Sequence, residues 1–133
     1  RVVGPDNDQG SPPISVIQGR TNPQFEDFPP IMLETTKLSG INHTDGTLSM
    51  ARGGPNTATQ QFFICVGEQP SLDYGGARNP DGQGFAAFGR VMAGMDIVSK
   101  IQRNRHSKVV EDPYIKNQIL AEPIKIIAIT LTD

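Results

Sequence analysis

The sequence predicts a single mainly β domain, residues 1–133, built as a barrel, and three of its features support this fold class. Short segments rich in β-branched and aromatic residues recur along the chain, each bounded by turn-forming residues. Gly (14 residues) and Pro (11 residues) are frequent but scattered, which indicates many turns joining short elements. One further segment has the residue spacing of an amphipathic helix. A chain of 133 residues is long enough for one domain with a hydrophobic core.

Strands are predicted at five places: Ser15–Gln18, Thr47–Arg52, Gln61–Val66, Ala86–Val91 and Ile124–Leu131. In the last of these, isoleucine and leucine alternate with residues that are themselves mostly apolar, so both faces of the strand are apolar. Such a strand is expected to pair on both sides, as in the interior of a sheet, and not to lie at an edge. Five strands with one helix favour a barrel.

The helix is predicted at Met95–Arg103, directly after Gly94. Apolar residues recur there at intervals of three and four, which is typical of an amphipathic surface helix that flanks or plugs a barrel.

Three turn-rich zones separate the predicted elements. The segment Pro5–Pro13 mixes Asn, Asp, Gly and Pro, and it is interpreted as a surface loop between Val2-Val3 and the apolar residues from Ile14. Asn22–Pro30 holds three prolines and two phenylalanines, and it is expected to be ordered irregular structure lying on the body of the domain. The third zone is Ser71–Gly84.

Charge and composition argue against several classes of function. The formal net charge is −2 with both signs spread along the chain, so a nucleic-acid partner is not expected. Cys65 is the only cysteine, and with His43 and His106 it shows no zinc-ligand spacing, so a zinc site is not expected. No apolar run is as long as a membrane span and no signal-peptide pattern is present, so the chain is expected to be soluble, with cytoplasm and periplasm both open.

The residues from Leu48 to Cys65 (LSMARGGPNTATQQFFIC) are the segment best suited to binding a peptide. No Ser, His and Asp set, pair of catalytic carboxylates or phosphate-binding glycine loop stands out elsewhere, so covalent and acid-base chemistry are not favoured. Gln61 and Phe63 lie two residues apart in a predicted strand and therefore project from the same face. Taken singly, such phenylalanines are more often core residues, and a Gly-Gly-Pro-Asn run is more often only a turn.

The order and spacing of the blocks SMA, GPNT, QFFI, LD, FGRV and GMDIV resemble the cyclophilin family of peptidyl-prolyl cis/trans isomerases, in its bacterial-like form. The resemblance runs from Arg1 through Val98 and more loosely to the final predicted strand. It implies a cyclophilin-like closed antiparallel β-barrel with flanking helices. It also implies isomerase (rotamase) activity that assists protein folding and needs neither a metal nor a cofactor. Since the sequence starts without Met, and the opening strands and first helix of that fold have no counterpart here, the N-terminal part of the barrel is expected to lie upstream.

The resemblance also assigns site residues. Arg1, in Arg-Val-Val, matches the family's central catalytic residue, and Gln18, in Ile-Gln-Gly, matches the glutamine that holds this arginine and contacts the peptide. Gln61 completes the catalytic set. The proline pocket and the groove for peptide backbone are expected at Val16, Met50, Ala51, Arg52, Phe63, Leu72 and Phe85, with Thr57 and Ala58 beside the pocket for the residue before proline.

Departures from the family pattern affect the pocket and its ligands. Ser15 replaces a phenylalanine, which thins one wall of the pocket, and Phe85 replaces a histidine, which is compatible with binding proline. Ser71 stands where the family has tryptophan, so the family's cyclic-peptide inhibitor cyclosporin is expected to bind weakly. Arg20 follows Gly19 where the family has a second glycine.

Two other functions stay open beside the enzyme, whose partners would be proline-containing polypeptides. The first is a non-catalytic module that binds proline peptides on the same fold, and the second is a scaffold domain in which the groove is incidental. Retention of Arg1 favours the enzyme.

Overall fold

The computed structural model describes residues 1–133 and contains five short strands and two α-helices, which confirms the mainly β prediction. Two short 3₁₀ helices span Pro70–Leu72 and Pro113–Ile115. The strands are β1 (Val2–Val3), β2 (Val16–Gln18), β3 (Thr47–Met50), β4 (Phe62–Cys65) and β5 (Ala87–Arg90), and the helices are α1 (Thr36–Ser39) and α2 (Met95–Gln102).

The five strands form one antiparallel sheet in the order β1-β2-β4-β3-β5. Gln18 lies opposite Phe63 in the pairing of β2 with β4. Immediately before β1, the backbone nitrogen of Arg1 donates to the Gln18 carbonyl at 2.8 Å. The backbone amide of Gln18 donates to the Arg1 carbonyl at 2.9 Å. Since directly opposite residues of an antiparallel pair share a face, Arg1, Gln18 and Phe63 share one face of the sheet, together with Gln61.

The same face carries the hydrophobic core. It is a cluster of buried side chains against which Ala51 and Phe85 pack, and its members are Val3, Ile14, Val16, Phe63, Cys65 and Leu72. The core therefore lies directly beside the polar residues that share its face of the sheet.

The opposite face of the sheet is apolar but only partly covered. Leu48, Phe62 and Ile64 alternate with the core residues and are half-buried, and Phe88 on β5 is 51% exposed. β1 and β5 each pair with one strand only, so the five strands form an open sheet.

The four strands predicted before residue 92 are confirmed, each one to two residues shorter than expected. The helix prediction is also confirmed, with the end of α2 one residue earlier. The helix buries Val98 and contacts β1 and β2, and Gln102 Nε2 donates to the Val3 carbonyl at 2.9 Å. α1 was not predicted, because a helix of one turn shows no periodicity; it begins after Thr35, whose hydroxyl accepts from the Leu38 amide.

The predicted strand Ile124–Leu131 is wrong. These residues have no secondary structure, and their side chains are mostly exposed, reaching 92% for Ile127 and 101% for Leu131. Alternating apolar residues form a strand only when a neighbouring strand satisfies their backbone, and no strand of the sheet pairs with this segment.

Two loops differ in how firmly they are held. The loop Pro5–Pro13 lies on the surface as expected, but the Asp8 side chain is 1% exposed and forms a salt bridge with Arg78 at 2.6 Å. The segment Asn22–Pro30 has the predicted irregular backbone and is tied to the body through Gln60. Gln60 Oε1 accepts from the Phe28 amide at 2.9 Å and Gln60 Nε2 donates to Asp27 Oδ1 at 2.7 Å, but Phe25 is 72% and Phe28 68% exposed. Polar contacts therefore hold this segment, and its aromatic rings remain largely in solvent. Neither helix is long and apolar enough to cross a membrane.

Candidate active site

The three residues expected to be catalytic lie together. Arg1, Gln18 and Gln61 line one cavity of about 230 Å³, whose other walls are Arg20, Ile115 and Ile119. Gln18 Nε2 donates to Gln61 Oε1 at 3.4 Å, so the two amides lie side by side across β2 and β4. The arrangement presents donors and acceptors suited to the backbone of an extended peptide.

The Arg1 guanidinium is free of any carboxylate partner. Its carbon lies 5.7 Å from the centroid of the Tyr114 ring, and its Nε is buried without a hydrogen-bond acceptor. Burial lowers the pKa of the Arg1 guanidinium from its ordinary value and nearby Arg78 lowers it further, while Tyr114 and Asp8 oppose the shift. An arginine so placed stays charged and keeps donors available to a ligand in the cavity.

An aromatic and aliphatic cluster adjoins this polar group. The rings of Phe63 and Phe85 meet edge to face with centroids 5.4 Å apart. Val16 (2% exposed), Phe63 (5%) and Leu72 (0%) are buried with them. The residues expected to form the proline pocket are therefore brought together, and their side chains pack against one another.

Phe85 rests on the Arg52 side chain. The guanidinium carbon of Arg52 lies 5.1 Å from the centroid of the Phe85 ring. Arg52 Nη1 and Nη2 donate to the two carboxylate oxygens of Asp81 at 2.9 and 3.0 Å. Arg52 Nε and Nη2 also donate to the Gly84 carbonyl at 3.0 and 2.6 Å. The hydrogen bonds from Arg52 hold the pKa of Asp81 below its ordinary value. Arg52 thus supports the pocket from behind, a role that its place in the sequence did not indicate.

Gly84 allows two loops to meet at the pocket. Its φ is +66°, and a Cβ at this position would lie 2.5 Å from the Leu72 carbonyl oxygen. The next amide, that of Phe85, donates to the same oxygen at 3.0 Å. Only glycine fits here, and the close approach sets the distance between two walls of the pocket.

The remaining expected residues lie at the end of β3 and in the following loop. Met50 and Ala51 are half-buried, with Ala51 against the core. Thr57 is exposed, and its Oγ1 donates to the Gly54 carbonyl at 2.7 Å and accepts from the Gly53 amide at 3.1 Å. Ala58 is buried, and neither residue lines the cavity of Arg1.

A buried network beneath the pocket was missed, since the sequence showed no Ser, His and Asp set. His43 is 1% exposed; its Nδ1 lies 2.7 Å from Asp73 Oδ1 and its Nε2 lies 2.8 Å from Ser49 Oγ. Because the carboxylate accepts, Nδ1 carries the proton of the neutral ring, and Nε2 accepts from Ser49. The imidazole stacks on Phe63 with centroids 6.0 Å apart. Ser49 is 0% exposed and cannot reach a substrate, so the network holds the pocket and does not act as a nucleophile.

Sequence reasoning also missed the segment that carries Tyr114, Ile115 and Ile119. No periodicity marks it, and only Asp112 followed by Pro113 could have indicated the turn that begins it. No three His, Cys, Asp or Glu side chains are grouped in a way that could hold a metal ion.

Comparison with known proteins identifies the family. Residues 4–130 match the family model described as cyclophilin type peptidyl-prolyl cis-trans isomerase/CLD. A peptidyl-prolyl cis-trans isomerase of Acinetobacter baylyi is 39% identical over 95 residues, covering 70% of this chain and 46% of that protein. Peptidyl-prolyl cis-trans isomerase B of Escherichia coli is 43% identical over 65 residues, 48% of this chain and 39% of that protein.

Peptidyl-prolyl cis-trans isomerase A of Dickeya dadantii is 35% identical over 99 residues, 74% of this chain and 47% of that protein. The chain thus spans less than half the length of these curated relatives. The family match nevertheless covers nearly all of its residues, including Phe63, Gln18 and Gln61, and it begins just after Arg1 and β1. The chain therefore belongs to the cyclophilin-type peptidyl-prolyl cis-trans isomerase family.

Proposed function

We propose that this protein catalyses cis/trans isomerisation of Xaa-Pro peptide bonds in proline-containing polypeptides and so assists their folding, without a metal or cofactor. One observation carries the proposal: Arg1, Gln18 and Gln61 line a single cavity on the face of the sheet that also bears the Phe63 cluster. The Arg1 guanidinium, with N–H donors that no carboxylate occupies, therefore lies on the same face as an apolar cluster suited to binding a proline ring.

The reaction requires rotation about one bond and no net proton transfer. The barrier to rotation is about 18–20 kcal/mol because twisting breaks amide resonance. The two ground states of an Xaa-Pro bond differ by only about 0.5–1 kcal/mol, so a catalyst need only lower the barrier. When the bond twists, the nitrogen loses conjugation and becomes basic. A donor directed at this nitrogen stabilises the twisted state selectively.

Arg1 is the proposed donor. Its guanidinium remains charged beside apolar walls and offers several N–H groups in a fixed plane. No salt bridge to a carboxylate occupies it, and the face of Tyr114 orients it. Gln18 and Gln61 would hold the peptide backbone on either side of the bond.

The proline ring would sit against the Phe63 cluster. The proposed contacts with the ring are Met50, Ala51, Phe63 and Phe85, while Val16 and Leu72, which are 2% and 0% exposed, support these walls from beneath. Arg52 would position Phe85 through the ion pair described above, and Thr57 and Ala58 would border the residue before proline. Gripping the ring while leaving the acyl side free to turn confines the rotation to the one bond.

The test is the rate of isomerisation of a short Xaa-Pro peptide, followed by NMR exchange. The wild-type chain should accelerate exchange, and Arg1→Ala should lower kcat/KM by about 10²–10³-fold, the usual effect of removing one donor to a transition state. Arg103→Ala is the matched control, because this arginine is exposed at the end of α2 and makes no salt bridge. Equal activity of Arg1→Ala and wild type would refute the assignment.

One observation keeps a non-catalytic role in view. Val16 and Leu72 are almost fully buried, so the side chains of the Phe63 cluster pack against one another and occupy the space among them in this structure. A pure proline-peptide binder would give peptide chemical-shift changes without faster exchange. A scaffold would give neither.

We also propose that the sheet belongs to a closed barrel whose interior is the face bearing Leu48, Phe62, Ile64 and Phe88. Their partial exposure supports this, because burying apolar side chains on both faces is what closure achieves. Weak binding of cyclosporin is proposed from Ser71, which offers neither the large contact nor the donor of a tryptophan.

A further inference from the structure

We infer that Tyr114 is a positioning residue for the isomerase, whose ring fixes the direction of the Arg1 guanidinium while leaving its N–H groups free for the substrate. The inference rests on the proposed function and adds to it a residue that lies outside the substrate site. Its starting point is that the Arg1 guanidinium carbon lies 5.7 Å from the centroid of the Tyr114 ring, whereas Tyr114 does not line the cavity of Arg1.

The head group of Arg1 has no carboxylate to hold it. None lies within salt-bridge distance of the guanidinium, and its Nε is buried without an acceptor. The hydrogen bonds that tie Arg1 to Gln18 involve the backbone of Arg1, so they do not fix its side chain. An arginine side chain has several rotatable bonds, and it needs a contact at its far end to be held in one direction. Tyr114 supplies that contact.

An aromatic ring suits this task better than a carboxylate does. A guanidinium is attracted to the face of a tyrosine ring and stacks on it through its own flat face. A carboxylate would instead accept from two N–H groups at the edge of the guanidinium and neutralise its charge. A contact with a ring therefore orients the cation and leaves its donors available to the nitrogen of the twisted peptide bond.

Tyr114 is itself held at three points, although it is 48% exposed. Its amide donates to Asp112 Oδ1 at 2.9 Å, and its carbonyl accepts from Gln118 Nε2 at 3.2 Å. Gln118 is 1% exposed and also donates to the Asn7 carbonyl at 2.9 Å, which ties this segment to the loop after β1. The Tyr114 hydroxyl accepts from Arg78 Nη2 at 3.3 Å. Two of the three bonds fix the backbone and the third fixes the far end of the ring.

The arginine that holds the Tyr114 hydroxyl belongs to a buried ion pair. The side chains of Arg78 and Asp8 are 6% and 1% exposed, and Arg78 Nη1 and Nη2 donate to the two Asp8 oxygens at 2.6 and 2.9 Å. The same carboxylate accepts from the Ile14 amide at 2.8 Å. A pair with two parallel hydrogen bonds has a defined geometry. The contacts thus run from Asp8 through Arg78 and Tyr114 to Arg1.

The test compares Tyr114→Leu and Tyr114→Phe with wild type in the peptide-exchange assay. Loss of the ring in Tyr114→Leu should lower kcat about 3–30-fold, the range of a contact between a cation and an aromatic face. The Kd of the peptide from NMR titration should stay unchanged, because Tyr114 does not line the cavity. Tyr114→Phe keeps the ring and should retain more activity than Tyr114→Leu.

Tyr74→Leu is the matched control. Tyr74 is 47% exposed, and its ring also lies beneath a cation, with Lys37 Nζ 5.1 Å from the centroid, but it does not line the cavity of Arg1. Its removal should leave kcat unchanged. Circular dichroism and the urea midpoint establish that each variant is folded.

A double-mutant cycle separates positioning from support of the fold. In the Arg1→Ala background, measured at a higher enzyme concentration, Tyr114→Leu should cause no further loss, since no guanidinium is left to orient. A ring that only supports the fold would lower the rate equally in both backgrounds, and this outcome overturns the inference.

A third measurement needs no variant. In the wild-type NMR spectrum, the δ-methylene protons of Arg1 should show nuclear Overhauser effects to the Tyr114 ring, with and without bound peptide. Absence of these effects overturns the inference even if no Tyr114 variant folds. An active wild type that depends on Arg1, with Tyr114→Leu as active as Tyr74→Leu, overturns this inference alone. A wild type that does not accelerate exchange overturns the proposed function as well.

Discussion

Removing one buried hydroxyl, in Ser49→Ala, should destabilise the protein far more than the size of the change suggests. Ser49 Oγ donates to His43 Nε2 at 2.8 Å, and the two residues are 0% and 1% exposed. Without this donor the nitrogen keeps a buried lone pair that water cannot reach. A buried polar group left unsatisfied costs about 1–3 kcal/mol, so the free energy of unfolding should fall by about that amount.

Urea unfolding measures this directly, with an unchanged slope showing that only stability has moved. Ser107→Ala is the control, because the Ser107 side chain is half-buried and makes no hydrogen bond. A change of that kind usually stays within about 0.5 kcal/mol. The reasoning fails if Ser49→Ala is as stable as Ser107→Ala.

The same network predicts how stability depends on pH. Burial lowers the pKa of His43 from its ordinary 6.5, against the opposing hydrogen bond and charge of Asp73. The unfolded chain therefore binds the proton more readily, so this contribution is complete above about pH 6.5 and is lost as pH falls toward the folded pKa. His43→Asn cannot titrate, so its stability deficit relative to wild type should narrow between pH 7 and pH 5 as measured by urea unfolding. A deficit that is constant or grows on acidification would contradict the assignment.

Three further changes probe the pocket. Asp81→Asn should lower kcat/KM several-fold in the peptide assay, because Arg52 then loses the charge that holds it against Phe85; unchanged kinetics would mean that this ion pair does not position the ring. Gly84→Ala should lower the urea midpoint strongly, since its Cβ would lie 2.5 Å from a carbonyl oxygen at positive φ, and a midpoint equal to wild type would refute the close approach. Ser71→Trp should strengthen cyclosporin binding in a calorimetric titration, and no gain would show that this position does not face the inhibitor.

Local pattern in the sequence was enough for most of the sheet. Short segments rich in β-branched and aromatic residues and bounded by turn residues predicted β2 through β5 within one or two residues. Apolar residues three and four positions apart predicted α2, because burial of one face imposes that spacing on a helix. The two-residue spacing placed Gln61 and Phe63 on one face, and the register of β2 with β4 then brought Gln18 beside them.

Such local patterns could not predict which segment, if any, each strand would pair with. Ile124–Leu131 has the composition of a strand, yet a strand also needs a neighbour whose backbone accepts its hydrogen bonds, and nothing local to the segment tells whether one exists. The exposure of Phe25 and Phe28 in the Asn22–Pro30 segment was equally beyond local pattern, since aromatic rings are buried only where the fold brings apolar surface against them.

The sequence by itself determined the family, the strand segments and the residues that could touch a peptide. Only the tertiary structure decided that His43 lies between Asp73 and Ser49, and that Ile115 and Ile119 face Arg1 across one cavity. The spacing of apolar residues and the choice of turn residues depend only on positions close together in the sequence, so they can be recognised there. Contacts between residues 30 or more than 100 positions apart depend on the path of the whole chain, which no local spacing encodes.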